Sequence, residues 1–264
     1  LMYLARYSIF RLAELPENPK SWRPNLLVFS GSPTARWHLI ELAHAITHGK
    51  GFLTVATILP TGTSAENRMA DVRRTIGDYT KKRNVPALVN IAIADDIPTG
   101  VTSMVRQYGL GTLVPNTIML GTSEQEQSLL DYAETICRLY QEKRNVIIVT
   151  KGEVNNPGYK RDTRNIDVWW GRQRENAGLS LALGYMLQNS PDWVGAELKL
   201  KSITTSKEEQ ESAIQTLEEF LRQGRLDAKA EVYTAEKDRI KIFAKIRQQS
   251  RSADLIFMGM EPPK

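Results

Sequence analysis

The sequence predicts an α/β fold made of two tandem units, each built on a parallel β-sheet with helices on both faces. An Asn, a short apolar run and a Gly occur at residues 25–31 and again at residues 165–171, each followed by a helical stretch. Two similar apolar runs, at 116–121 and 254–259, close the two copies. Such runs are typical of buried parallel strands, because helices that cover both faces of a sheet leave no alternation of polar residues.

The composition is that of a compact globular protein. The chain has 264 residues, of which 41% are hydrophobic, and this is enough for one large or two ordinary domains. Its single cysteine, Cys137, cannot form an intrachain disulfide bond, so the sequence carries no sign of an oxidising compartment. No apolar run approaches the ~18 residues that span a bilayer, and no signal-peptide pattern is present.

The first residues have two interpretations. Leu4, Tyr7 and Phe10 are apolar at near-helical spacing, and the prolines that follow end any helix. The segment is therefore either a terminal helix docked on the first unit or a connector from an upstream domain. With the second interpretation, the predicted organisation is a connector at 1–20, a first α/β unit at 21–152, a linker rich in Asn, Pro and Gly at 153–164, and a second α/β unit at 165–264.

The elements of the first unit alternate between strands and helices. Thr63 and Glu66 have capping-box spacing, in which a hydroxyl and a carboxylate bond to each other's free amide groups at the start of a helix. That helix places Met69, Val72 and Ile76 on one stripe. After the strand at 25–31, the predicted elements are a helix at 33–48, a strand at 51–59, the helix that Thr63 begins, a strand at 87–93, a short helix at 101–108, a strand at 116–121, a helix at 128–143 and a strand at 145–151.

The second unit follows the same order. Ser206 and Glu209 repeat the capping box, and Gly224 ends the helix that they begin. The crossovers are expected to be right-handed, and any ligand is expected at the carboxyl ends of the strands. After the strand at 165–171, the predicted elements are a helix at 177–187, a strand at 197–203, the helix from Ser206 to Gly224, a strand at 228–234, a helix at 238–251 and a strand at 254–259.

The strand ends carry no recognised nucleotide motif. Residues 31–34 follow the first strand directly, where backbone amide groups could bind an anion. Pro33 fits the first turn of a helix, which explains the same segment as a helix start. Neither GxGxxG nor GxxxxGK[ST] follows the first strand of either copy.

Metal binding and catalysis also lack a complete motif. His38, His44 and His48 share one predicted helix, but the HExxH spacing of zinc proteases and a fourth ligand are missing, so we expect partly exposed histidines. The pair Asp95 and Asp96 is interpreted as a turn or helix cap rather than as a magnesium ligand. No GxSxG elbow surrounds a serine. The sequence therefore predicts no catalytic, cofactor-binding or metal-binding residue, and the chain is not expected to be an enzyme.

Two basic runs occupy corresponding places in the two copies, at residues 68–83 and 239–251. The formal net charge is only +5, and no nucleic-acid motif or aromatic interleaving accompanies the runs, so nucleic-acid binding is not expected. Anionic lipid headgroups or an acidic partner fit these helices better.

The second copy also contains a strongly apolar stretch. The helix at 179–187 is apolar on nearly every side, and such a helix must be covered on every side. Burial within the domain and contact with a second subunit both remain open. The candidate interface residues are Trp169, Trp170, Leu179, Leu183 and Met186.

Several motifs, taken in order, resemble one family. WRPNLLVFSGSP at 22–33, PNTIMLG at 115–121, and NIDVWW at 165–170 followed by GLSLALGYML at 178–187 are similar to segments of the cytoplasmic carboxy-terminal domain of cation-chloride cotransporters. The resemblance extends from Trp22 almost to Met260, and the order of the matches supports it better than any single motif.

The resemblance implies a function. It implies the regulatory, homodimer-forming cytoplasmic domain of a plasma-membrane or inner-membrane transporter that moves Na⁺ or K⁺ together with Cl⁻. It also implies two tandem universal-stress-protein-like, Rossmann-like units, no cofactor, and residues 1–20 joined to the transmembrane domain of the same transporter. The Arg-rich loop GRQRENAG at 171–178 replaces an acidic sequence of eukaryotic relatives, and their long phosphorylatable insertions are missing, which favours a prokaryotic source.

A second function remains open, namely a tandem universal-stress-protein-like nucleotide sensor. Nucleotide-binding members of that fold carry Gly-x2-Gly-x9-Gly followed by Ser or Thr near the fourth strand. Here Gly121 is followed by Thr-Ser-Glu without that series, and Gly259 is soon followed by Glu-Pro-Pro. The sequence therefore favours a non-catalytic scaffold.

Overall fold

The computed structural model describes residues 1–14, 22–32, 34–62, 64–122, 129–152, 163–171 and 174–263, with the backbone only at 174 and 175. The chain forms two compact units, one mainly of residues 1–153 and the other of residues 154–262.

The first unit contains a five-stranded sheet in the order β3-β2-β1-β4-β5, in which all strand pairs are parallel. The order reverses direction between β1 and β4, as in a doubly wound fold. A first helix, α1, buries no residue. The elements are α1 (Met2–Glu14), β1 (Asn25–Phe29), α2 (Trp37–Thr47), β2 (Phe52–Pro60), α3 (Ala65–Lys82), β3 (Leu88–Ala94), α4 (Ile97–Gln107), β4 (Thr117–Gly121), α5 (Leu129–Gln141) and β5 (Asn145–Val149).

The second unit contains a four-stranded parallel sheet in the order β8-β7-β6-β9. This order repeats the first four strands of the first unit, so the predicted duplication of a parallel α/β pattern is confirmed. The elements are β6 (Asn165–Trp170), α6 (Arg174–Gln188), a short 3₁₀ turn (Pro191–Trp193), β7 (Glu197–Thr204), α7 (Lys207–Gly224), β8 (Lys229–Thr234), α8 (Arg239–Gln249) and β9 (Leu255–Met258).

The Asn that opens each copy has the same role in both units. The Asn25 side-chain amide donates to the Val114 carbonyl at 2.9 Å, and the Asn165 side-chain amide donates to the Ser252 carbonyl at 3.2 Å. Each side chain joins the start of the first strand to the segment just before the neighbouring strand that closes the repeat. The recurring Asn therefore sets the register of the two central strands.

The helix starts differ in part from the predictions. Asp96 caps α4 by accepting from the Thr99 N–H, so this helix begins at Ile97 rather than near residue 101. Ser206 Oγ accepts from the Glu209 N–H as predicted, but the Glu209 carboxylate accepts from the Thr205 N–H instead of closing the box on Ser206. Thr63, in the other predicted capping box, lies outside the described residues.

Candidate functional site

The carboxyl ends of β1, β2 and β4 line a cavity of about 370 Å³ in the first unit. This is the point at which the strand order reverses, where doubly wound sheets commonly bind ligands. Phe29, Ile58, Val101 and Leu120 form apolar walls of the cavity. An apolar cleft with a few polar groups is the usual form of a small-molecule site.

The charged side chains of this cavity and its tyrosine lie near the start of α2 and on α5, and Thr57 of β2 adds a hydroxyl. Arg36, Asp131 and Tyr132 line it. The buried Tyr132 hydroxyl has no hydrogen-bond partner among the described residues. Burial raises the pKa of Tyr132 above its ordinary value, while the positive charge of Arg36 acts in the opposite direction. A cation and an unpaired hydroxyl together could bind a polar or anionic group on a ligand.

The glycine-containing turn singled out in the sequence borders the same cavity. Gly31 lies at its rim with φ +62° and accepts a hydrogen bond from Thr57 Oγ1 at 3.3 Å. Ser32 and Thr34 are exposed and their hydroxyls bond to each other at 2.9 Å. The turn therefore shapes the rim. Pro33 and residues 123–128 lie outside the described residues.

The second unit has a buried ion cluster on the sheet face where the first unit has an apolar core. When the two copies are aligned on their opening Asn residues, Asp167 corresponds to Leu27 and Lys201 corresponds to Ala56. The Lys201 ammonium lies 2.8 Å from Asp167 Oδ2, and the two side chains are only 3% and 2% exposed. Asp167 Oδ2 makes no well-aligned hydrogen bond, so charge attraction holds this pair.

Further contacts extend the cluster across the sheet. Lys201 Nζ donates to the Gln249 carbonyl at 2.8 Å and lies 3.4 Å from a Glu231 carboxylate oxygen. That carboxylate accepts a hydrogen bond from the Tyr233 hydroxyl at 2.6 Å. Burial raises the pKa of Tyr233 above its ordinary value, and the Glu231 carboxylate raises it further. The ammonium thus connects β6, β7, β8 and the end of α8.

The predicted interface residues divide between the core and the surface. Trp169 and Leu183 are buried, and Trp169 Nε1 donates to Ser250 Oγ at 3.0 Å. Trp170, Leu179 and Met186 are half-buried. The sequence left two interpretations open, burial within the domain and contact with a second subunit. Burial within the domain applies to Trp169 and Leu183. The three half-buried residues keep exposed surface that a partner could contact.

The other residues considered in the sequence have local roles. The three histidines of α2 and its end are half-buried, as expected. Asp95 accepts from Thr61 Oγ1 at 2.6 Å, and the Thr99 hydrogen bonds to Asp96 lower the pKa of that carboxyl. In the part of the chain that the structure describes, no three His, Cys, Asp or Glu side chains group closely enough to hold a metal ion. No helix among these same residues has the length and hydropathy to cross a membrane.

The basic helices are mostly exposed. Just after α3, the Arg83 guanidinium lies over the Tyr79 ring at 3.7 Å and the Trp37 ring at 5.0 Å, so this cation stabilises the unit locally. In α8, Lys241 pairs with Glu236. The exposed cations of α3 are Arg68, Arg73, Arg74, Lys81 and Lys82.

Sequence reasoning missed the cavity polar groups and the ion cluster. A signal for the cluster was present, because Asp167 stands in an apolar run predicted to be a buried strand and Lys201 stands at an inward position of the next one. Charged residues at such positions are rarely buried unless they are paired. No comparable signal marked Arg36 or Tyr132.

Comparisons with known proteins agree with the motif resemblance. The model of the family described as solute carrier family 12 matches residues 36–154. The chain is similar to potassium/chloride cotransporter 3 of Caenorhabditis elegans, with 24% identity over 233 residues that cover 80% of the chain and 21% of the relative. It is also similar to solute carrier family 12 member 3 of Mus musculus, with 22% identity over 243 residues that cover 79% of the chain and 24% of the relative. The chain thus spans about a fifth to a quarter of these relatives.

Solved structures confirm the predicted universal-stress-protein-like fold. The cytoplasmic domain of a prokaryotic cation chloride cotransporter superposes with a TM-score of 0.59 at 17% identity, covering 83% of the chain and 81% of that structure. A universal stress protein from Archaeoglobus fulgidus superposes with a TM-score of 0.52 at 10% identity, covering 90% of the chain and 88% of that structure.

Proposed function

We propose that the chain is a non-catalytic regulatory and dimerisation domain of a cation-chloride cotransporter, because its sequence is similar to a potassium/chloride cotransporter and to members of solute carrier family 12. The observation that carries the proposal is sequence similarity to cotransporters over four-fifths of the chain. On this proposal the domain lies on the cytoplasmic side of the plasma or inner membrane. The transported ions are Cl⁻ together with Na⁺ or K⁺, and the permeation path belongs to the membrane part of the protein.

The first helix supports the proposed connector to that membrane part. α1 buries no residue, and Leu4, Tyr7 and Phe10 are all exposed. A helix docked on the first unit would bury an apolar stripe. We therefore assign residues 1–20 as the connector, residues 153–164 as the linker, and residues 21–152 and 165–264 as the two α/β units.

Two surfaces are proposed for partners. The half-buried Trp170, Leu179 and Met186 form the homodimer contact, because aromatic residues and Met are enriched at the centres of interfaces. The exposed cations of α3, together with Arg239 at the start of α8, face anionic headgroups of the inner leaflet. Regulation then follows from differential contacts, since a domain that binds one transport conformation more tightly shifts the population toward it.

Removing this domain should lower transport. In the full-length transporter, deletion of residues 22–263 should reduce ion flux about fivefold or more, the size expected of a modest coupling free energy. The ion pathway should persist, because ion sites in transporters lie among membrane helices. Flux into proteoliposomes, normalised to inserted protein, and cross-linked dimer yield are the measurements. Unchanged flux together with an unchanged dimer fraction would contradict the proposal.

The cavity favours one alternative function, a nucleotide sensor. Its volume of about 370 Å³, its position at the strand ends, and the presence of both Arg36 and a Tyr132 hydroxyl without a partner among the described residues are compatible with a small anionic ligand. If ATP binds there, titration calorimetry should give a micromolar Kd, and Arg36→Gln should weaken it about tenfold or more, the loss of one charge-assisted contact. Lys50→Gln, an exposed change at the opposite end of the strands, is the control. If calorimetry detects no heat of ATP binding to the unaltered chain, the nucleotide sensor is ruled out and only the scaffold function remains.

A further inference from the structure

The second unit exposes apolar side chains on one face of its sheet. The equivalent face of the first unit's own sheet is covered. Among the described residues, β9 pairs with β6 alone, whereas its counterpart β4 pairs with both β1 and β5. Ile256 and Met258 of β9 are 41% and 49% exposed. The residues at the same register positions of β4, Ile118 and Leu120, are buried. The edge of β9 therefore has no neighbouring strand in the part of the molecule that the structure describes.

The last helix extends this apolar surface. Asp96 and Asp238 cap α4 and α8 in the same way, so Phe243 occupies the position of Val101. Val101 is buried, but Phe243 is 51% exposed, and Ile240 is exposed on the same side of α8. We call Ile240, Phe243, Ile256 and Met258 the open face.

Hydrogen bonds place both parts of the open face on one side of the sheet. Met258 is in register with Trp169, so the two side chains leave the sheet in the same direction. Trp169 Nε1 donates to Ser250 Oγ, and Lys201 Nζ, on that same side, donates to the Gln249 carbonyl. Gln249 and Ser250 end α8. The helix and the exposed side chains of β9 therefore share one face.

The first unit shows what covers such a face. α5 packs against α4 and buries Leu139, while β5 pairs with β4 from Thr117 with Asn145 to Gly121 with Val149. An unpaired strand edge presents backbone N–H and C=O groups that another strand can satisfy and that lipid tails cannot. The cover that fits is thus polypeptide, in the form of a helix followed by a strand.

Charge adds a second property of the cover. Arg247 is exposed one helical turn after Phe243, and no carboxylate of the described residues lies within salt-bridge distance of it. In the first unit an ion pair joins the two helices near this point, because Arg106, which aligns with Gln248 next to Arg247, binds Glu142 just after α5. A covering helix with a carboxylate near Arg247 would form a similar ion pair.

We propose that the open face binds an amphipathic, acidic helix followed by a β-strand, and that this segment belongs to the same polypeptide outside residues 1–264. The helix lies on Phe243 and Met258, and the strand pairs in parallel with β9. This inference rests on the proposed function, because the cotransporter relatives are about four times as long as this chain. The segment completes the second sheet as β5 completes the first.

Cysteine labelling tests the proposal. Met258→Cys is made in a Cys137→Ser background, and its rate of alkylation by a maleimide is measured in residues 1–264 alone and in the full-length transporter. We expect the rate to fall about tenfold or more in the full-length protein, because the covered thiol reacts only after local opening. Phe243→Asp should restore fast labelling of the full-length protein by weakening the covering helix. Val194→Cys, exposed elsewhere on the second unit, is the control and should react equally in both forms.

Each other outcome overturns the proposal. Equal labelling rates of the Met258→Cys variant in the two forms show that no segment covers β9. Slow labelling that becomes fast when the transporter is diluted to monomers assigns the face to a second copy. Slow labelling in liposomes but not in detergent assigns it to lipid. Flux and dimer yield of the truncated transporter are separate measurements, so the proposed function can stand when this inference fails.

Discussion

Replacing Lys201 with methionine should lower the free energy of unfolding of the second unit by about 3–5 kcal/mol, the usual cost of removing one partner from a buried ion pair. The change leaves the Asp167 carboxylate, which is 2% exposed, without its 2.8 Å counter-ion. It also removes the only side-chain donor that this cluster offers to the Gln249 carbonyl among the described residues. α8 buries no residue fully, so its attachment depends unusually strongly on such polar contacts.

A double replacement separates charge from packing. Asp167→Leu with Lys201→Met supplies apolar groups at two positions that are Leu and Ala in the first unit, and such replacements of buried ion pairs are often neutral or stabilising. We expect the double variant to recover most of the lost stability. Lys229→Met is the matched control, because Lys229 forms an exposed pair with Glu197 on the same sheet and should change stability by less than about 1 kcal/mol.

Hydrogen exchange of the amides in β6, β7 and β8 reports on the second unit without interference from the first. The account of the cluster fails if Lys201→Met changes their protection no more than Lys229→Met does. It also fails if the double variant is less stable than Lys201→Met alone, since the unpaired Asp167 carboxylate would then not be the source of the loss.

The sequence predicted the architecture because the pattern that defines it is local. A short apolar run, a Gly and a following amphipathic helix identify a buried parallel strand without knowledge of its neighbours. The opening Asn25 and Asn165 recur because each side-chain amide bonds to the segment just before the closing strand, and this makes the duplication visible in the chain.

The functional geometry was harder to predict because it depends on register between distant segments. Lys201 meets Asp167 because β7 lies beside β6, and no spacing rule along the chain brings these residues together. The cavity needs Arg36 and Tyr132 to meet across residues from three strands and two helices. Apolar content also could not decide between core and surface, since Trp169 and Trp170 are adjacent and alternate in direction along β6.

Exchanging Leu183 for glutamate should unfold the second unit, whereas the same exchange at Met186 should leave a folded monomer. Leu183 is only 2% exposed, so the variant loses its packing and buries an unpaired carboxyl group, with an expected cost of about 4–5 kcal/mol. Met186 is half-buried, and its new carboxylate can reach water in the free chain but not within a tight interface. The same chemical change on one helix therefore distinguishes core from contact surface.

Sedimentation velocity and circular dichroism together give the result. We expect the unaltered chain to sediment as a dimer, Met186→Glu as a monomer with unchanged helical signal, and Leu183→Glu with a reduced helical signal or as aggregate. Tyr185→Glu is a matched control, because Tyr185 is exposed on the same helix and lies on a different side from Leu179 and Met186. A Met186→Glu chain that remains dimeric would move the dimer contact away from α6, since an interface centred on Met186 cannot bury two unpaired carboxylates at no cost.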